Sequence, residues 1–235
     1  MKKLLVFVLL AVFGSARAQT VDDIIQKYAN AMGGLDNFNT IKTAKLTGTV
    51  SAQGNDFPMT VQIINGKAMR ADVDVMGQAV VNSYKDGAGW KINPFAGAPT
   101  ATDATADELT EFKNQSFLAT QLMDYKARGY KAELAGTEDV DGKKAYKVKL
   151  TTEGGKTDTY YVDSATSMLT RFVGTRNMMG QDMELESSFG DVKEVNGLKF
   201  NSSRTIKYQG QTMQEVHFDK IELDVPIDEK IFSKS

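Results

Sequence analysis

Few side chains in this 235-residue sequence have a type and spacing suited to chemistry. The single histidine, His217, lies between Val216 and Phe218 in an alternating run, so it shares a strand face with Glu215 and Asp219. A Glu-x-His-x-Asp row can hold a divalent metal at a surface. The same alternation more simply describes a charged row facing solvent, and that reading outweighs the metal. Asp139-Val140-Asp141-Gly142 offers two carboxylates of a calcium loop but lacks the remaining oxygen ligands, so it reads as a hairpin turn. With no Cys and one His, neither a Cys–His nucleophile pair nor a multi-His metal site can be assembled. G-x-S-x-G, the P-loop and G-x-G-x-x-G are all missing. The expectation is a protein with no catalytic residues, no bound metal and no cofactor.

The remaining inventory is apolar. Eleven methionines, one of them the initiator, are spread over the chain, among them Met59, Met69, Met123, Met168, Met183 and Met213. Met is flexible and polarizable, which suits a surface that adapts to mobile apolar guests. By number alone core filling is the better reading, so the elements that carry them must decide.

Residues 1–18 read as an export signal. Lys2 and Lys3 precede the apolar run Leu4 to Phe13, and Ala16-Arg17-Ala18 is an A-x-A cleavage site. A run of ten falls short of the ~20 residues a membrane-spanning helix needs. The expected mature protein is residues 19–235, a single domain, soluble in the periplasm and without a lipid anchor, since no Cys follows the signal. Removing three of the 28 basic residues leaves 25 against 30 acidic ones, which argues against a nucleic-acid partner.

Thr20 with Asp22 and Asp23 opens an amphipathic helix whose apolar face is Val21, Ile24, Ile25, Tyr28 and Met32, stopped by Gly33 and Gly34. A short helical piece, Leu35 to Ile41, follows. Alternating strands then begin at Thr43, with turns at Gly54-Asn55, Asn65-Gly66 and Asp86-Gly87. The stretch from Trp90 to Gly129 interrupts them. It leaves a strand at Trp90-Lys91-Ile92, turns at Asn93-Pro94-Phe95, passes a small-residue loop at Ala96 to Ala104, and predicts two short helices between Thr105 and Arg128. A second meander has hairpins at Asp141-Gly142, Gly154-Gly155, Asp163-Ser164, Gly180-Gln181, Asn196-Gly197 and Gly210-Gln211. Of the arginines, Arg70 takes the outward phase, and Arg171, Arg176 and Arg204 fit either face. About 11–12 strands exceed what a flat sheet carries before it curls. The expected fold is mainly β: an unclosed, strongly curved antiparallel β-barrel with an N-terminal helix and a mid-chain helical lid over its concave face.

Several stretches together resemble one family. They are Ala31-Met32-Gly33-Gly34, Leu46-Thr47-Gly48-Thr49-Val50, Gly89-Trp90-Lys91-Ile92-Asn93-Pro94-Phe95, Asp124-Tyr125-Lys126-Ala127-Arg128-Gly129 and Ile221-Glu222-Leu223-Asp224-Val225-Pro226-Ile227-Asp228. The chain resembles the outer-membrane lipoprotein-sorting proteins of the LolA/LolB-like periplasmic carrier superfamily over essentially the whole of residues 19–235. The resemblance implies a hydrophobic cavity that receives acyl chains, with lipid or lipoprotein cargo, an inner-membrane transporter as donor and an outer-membrane acceptor as partners. A monomer is expected. On this reading Trp90, Ile92, Phe95, Leu109, Phe112, Phe117, Leu118 and Leu122 form lid and mouth, while Leu46, Val50, Met59, Val61, Met69, Val73, Met183 and Leu185 line the sheet. An envelope sensor or interaction protein with the same fold is the second reading. A lipocalin-like binder is the third, because Trp90 is mid-chain and Ala88 stands where the lipocalin G-x-W glycine would be.

Overall fold

The computed structural model describes residues 19–152, 154–178 and 181–234. The expected export signal and the tip of the Gly180-Gln181 turn lie outside these residues. Thr20 and Asp23 close a reciprocal capping box, each backbone N–H donating to the other's side chain at 3.1 Å, and this starts α1 (Val21–Met32). Such a cap contributes about 1 kcal/mol. Gly33 ends the helix at φ 113°, and a Cβ there would meet the Gly197 carbonyl oxygen at 2.5 Å, so glycine is required twice over. A single short helix, α2 (Leu35–Thr40), follows.

Five strands then meander: β1 (Thr43–Ala52), β2 (Asn55–Ile64), β3 (Ala68–Val75), β4 (Gln78–Lys85) and β5 (Ala88–Asn93). The expected loop at Ala96 to Ala104 is instead mostly a sixth strand, β6 (Ala98–Asp103), paired to β5 through Trp90–Asp103 and Lys91–Thr102. Its small residues carry little β propensity, and strand pairing imposes the conformation. The helix α3 (Ala106–Gln115) comes next, capped by Thr105 and Glu108.

The second expected helix does not form. Ser116 ends α3, and the groups that would continue it are taken by the β2–β3 turn. The Ser116 carbonyl accepts from the Gly66 N–H at 2.8 Å, and the Leu118 N–H donates to Asn65 Oδ1 at 3.0 Å. Residues 117–129 run as successive turns held by Arg128, which reaches Asp124, Asn114 and the Ala119 carbonyl and stacks on Phe117 at 4.1 Å.

The later strands are β7 (Lys131–Val140), β8 (Lys143–Thr151), β9 (Thr157–Asp163), β10 (Leu169–Met178), β11 (Gln181–Phe189), β12 (Val192–Val195), β13 (Leu198–Asn201), β14 (Ser203–Tyr208) and β15 (Gln211–Leu223). Thirteen strands form one antiparallel sheet in the order β6-β5-β4-β3-β2-β1-β15-β14-β11-β10-β9-β8-β7, and β12 with β13 make a separate hairpin. The fifteen strands exceed the expected 11–12 because β6 forms and because breaks at residues 190–191 and 202 divide two expected strands into β11 with β12 and β13 with β14. β6 and β7 are the two edges, so the barrel is unclosed.

Register identifies the inner face. Leu46 stands opposite Val61 and Ile221, Val61 opposite Ala71, and Val148 opposite Tyr160, itself opposite Phe172. These side chains and the buried face of α1 (Ile24, Ile25, Tyr28, Met32) belong to one core. Curvature follows from two ion pairs. Lys91 of β5 meets Glu108 of α3, and Arg176 of β10 meets Glu111, three residues further along the same helix. β5 and β10 are eight strand positions apart, about 38 Å in a flat sheet at the usual strand spacing of ~4.8 Å. One helix touches both only because the sheet curls into a trough.

Candidate functional site

The trough has a polar centre. Arg176 Nη1 lies 3.0 Å from Asp158 Oδ1, and its Nε lies 3.1 Å from Glu111 Oε1. Asp158 is almost fully buried, so the pair sits in a poorly solvated place. Gly174 makes the room: a Cβ there would stand 2.3 Å from Asp158 Oδ1 and 2.9 Å from Arg176 Nη1. Burial opposes the charge on Arg176, but the hydrogen bond to Asp158 and the nearby carboxylates override it and raise its pKa. Burial pushes the Tyr160 hydroxyl up as well, and the Asp158 charge adds to that shift.

Arg204 is placed differently. It shares the inner face with Val216, its partner on β15, and with Phe189, its partner on β11. Val216 is in turn opposite Val50, and Val50 opposite Phe57. The guanidinium donates to Ser187 Oγ at 2.8 Å and stands 5.8 Å from the Phe189 ring centroid. No carboxylate among the described residues pairs with it. Surrounding protein lowers its pKa first, and the charge of Arg176 lowers it further, with Glu111 and Tyr160 opposing. The side chain is exposed to solvent on the inner face of the curled sheet.

The predicted lining divides into two levels of this trough. Leu46 and Met69 are core residues, and Val61 packs against them. Val50 and Met59 are buried but lie outside the core cluster, and Val73, Met183 and Leu185 are half-buried on the inner face without joining it. Ile206, also half-buried, belongs with them.

The predicted lid and mouth divide more sharply. Phe112 and Leu122 are deep in the core, and Leu109 and Leu118 pack against it. Phe117 is half-buried under Arg128. All of these but Phe117 lie within or against the core. Phe95 projects from a short turn, 58% exposed. Trp90 and Ile92 lie on the opposite, outer face. Trp90 pairs with Ser83, its indole N–H donates to the Phe232 carbonyl at 2.8 Å, and Arg70 lies over its ring. The reason is that Lys91, between them, takes the inner phase to meet Glu108.

The 117–129 segment is pinned to α1. Tyr125 and Lys126 both donate to the Asp22 carboxylate, and Tyr28 and Thr120 hydrogen-bond at 3.3 Å. The bonds from Lys126 and Tyr125 hold the Asp22 carboxyl below its ordinary range. Burial raises the Tyr28 hydroxyl to about 12. A small cavity of about 280 Å³ lies here, lined by Ile25, Leu35, Met123 and Tyr125 among others.

The outer face carries a depression of about 460 Å³ among Lys147, Lys149, Tyr161, Arg171, Glu184, Glu186 and Lys207. Its walls are charged, and Glu138 beside it takes both Lys147 and Arg171 at about 3 Å, so it suits no acyl chain. His217 is exposed on this face, 3.5 Å from Asp219, as its alternation requires. Asp139 caps the Gly142 N–H at 2.8 Å in the expected hairpin turn. Among the described residues no group of three His, Cys, Asp or Glu side chains is arranged to hold a metal ion.

Sequence reasoning missed Arg204 and Ile206 as trough residues. The signal was their shared phase on β14, and it becomes usable once Val216 is known to face inward.

No protein-family model and no curated protein matches this sequence. Solved structures do match it. A LolA superfamily protein from Nitrosomonas europaea has a TM-score of 0.59 at 12% identity, covering 92% of this chain and 99% of its own. A putative outer membrane lipoprotein-sorting protein domain from Vibrio parahaemolyticus gives 0.60 at 12% identity, covering 92% and 96%. A DUF1329 family protein from Desulfovibrio piger gives 0.56 at 14% identity, covering 92% and 98%. The fold is therefore that of the LolA-like open barrels.

Proposed function

We propose that residues 19–235 form one periplasmic carrier unit that holds the acyl chains of a lipid or lipidated protein in the trough and moves them toward the outer membrane. The observation that carries this reading is a strip of apolar side chains on the inner face that the core does not use. Val50, Met59, Val73, Met183, Leu185 and Ile206 come from five strands and share the inner face with Arg204. Apolar surface left in a trough favours an apolar guest. The likeness to the putative outer membrane lipoprotein-sorting domain of Vibrio parahaemolyticus supports the same reading by fold alone.

The energetics suit transfer. Each buried methylene is worth about 0.8 kcal/mol relative to water, so a dozen give a ceiling of roughly 10 kcal/mol. A bilayer offers most of the same gain, so cargo passes between membrane and trough with a small net change. An inner-membrane donor and an outer-membrane acceptor would then set the direction. Export by residues 1–18 supplies the location, and no described helix is long and apolar enough to cross a membrane.

The test is titration of delipidated protein with a fluorescent fatty acid. The expected result is saturable binding near one per chain. Folded protein that takes up none would contradict the proposal.

A further inference from the structure

We propose that Arg204 is the head-group site of the trough and selects cargo whose apolar chain ends in a single anionic group, a carboxylate or a phosphate. The inference rests on the carrier reading above and names the class of ligand that reading leaves open.

The argument is one of unused donors. A guanidinium has five N–H donors and no acceptor. Arg204 uses one, to Ser187 Oγ at 2.8 Å, and the other four have no partner among the described residues. Arg176 on the same face is the internal contrast, because Asp158 and Glu111 satisfy it as an ion pair.

The free donors of Arg204 meet solvent, and an incoming anion replaces that water with charge-assisted hydrogen bonds. Carboxylate and phosphate both accept two parallel N–H bonds from the planar fork, a geometry unavailable to a neutral ester. The neighbours complete the site. Val50 and Val216 on one side and Phe189 and Ile206 on the other are apolar, so a chain attached to the anion has a wall to follow at once. A polar solute with no tail would forgo that contact. The outer-face depression holds more basic residues, but Lys147 and Arg171 are paired with Glu138 and no apolar strip lies beside them.

The experiment compares three probes with the same eighteen-carbon chain in competition with a fluorescent fatty acid: oleate, methyl oleate and oleoyl-lysophosphatidylglycerol. Wild-type protein is expected to bind at least one anionic probe about tenfold more tightly than methyl oleate. Whichever anion binds more tightly identifies the head group as carboxylate or phosphodiester. Arg204→Gln should remove that preference, bringing the anionic probes to the affinity of methyl oleate, and Arg204→Lys, which keeps the charge without the fork, should fall between. Equal wild-type affinity for all three probes would overturn the role of Arg204 and leave the carrier intact, and that comparison needs no variant to fold. A preference that survives in folded Arg204→Gln would also overturn it. No binding of any probe would overturn the carrier reading itself.

Discussion

Glu111 of α3 and Arg176 of β10 meet at 3.1 Å across the trough, although their elements dock on opposite halves of the sheet. Arg176 also holds Asp158. The same ion group that shows the sheet to be curled therefore closes the helix over it.

Removing one partner should be costly in proportion to burial. Asp158 is nearly inaccessible, so Asp158→Ala leaves Arg176 without its buried counter-charge and should destabilise by about 3 kcal/mol or more. Glu111 is 31% exposed, and Glu111→Gln should cost under about 1 kcal/mol. Urea unfolding of the two variants measures both. Equal losses would show that burial is not what distinguishes these carboxylates.

Trp90 tests the outer face. Its N–H is spent on the Phe232 carbonyl, which Ser83 Oγ also approaches at 3.2 Å. Trp90→Phe should cost about 1–2 kcal/mol and speed hydrogen exchange in residues 229–234. Acyl-probe binding should be unchanged, because the ring does not face the trough. A loss of binding in a folded variant would return Trp90 to the mouth.

Acid should loosen the segment that plugs the trough. The Asp22 carboxyl is held below its ordinary range in the folded protein, so its contribution is fully present above the unfolded value of about 3.9 and is lost as pH falls through the folded one. Glu108, which burial raises but Lys91 and Thr105 bring below the ordinary value, behaves in the same sense. Protection factors in residues 117–129, corrected for the intrinsic exchange rate at each pH, should fall below about pH 4 and be flat from pH 5 to 8. Asp22→Asn should bring the acid level of protection to neutral pH.

Two aspartate substitutions separate plug from lining. Phe112 is 6% exposed in the core, and Phe112→Asp should unfold the protein because it buries an unpaired carboxylate. Leu185 is half-buried outside the core, so Leu185→Asp should keep the fold and weaken acyl-probe binding about tenfold or more. Thermal melts with binding isotherms decide. A folded, binding-competent Leu185→Asp would remove β11 from the site.

The sheet was legible in the chain because alternation and turn chemistry act locally. Asn65-Gly66, Asp86-Gly87, Asp141-Gly142 and Asn196-Gly197 all close hairpins, and the caps at Thr20 and Thr105 start helices as expected. Two kinds of information were not local. Residues 118–125 have helical spacing, yet Asn65 and Gly66 capture the backbone groups that a helix needs. Trp90 looked like a mouth residue because its type is apolar, but strand phase is set by partners, and Lys91 takes the inner side. Arg204 was ambiguous for the same reason: β14 gains an inside only through pairing with Val216 and Phe189.

The central claim is that the apolar strip around Arg204 holds an acyl chain. Native mass spectrometry of the protein isolated from its own cell envelope without detergent tests it most directly. The account predicts a noncovalent complex carrying one acyl-chain lipid or lipidated protein per chain. The bare polypeptide mass as the sole species would contradict it.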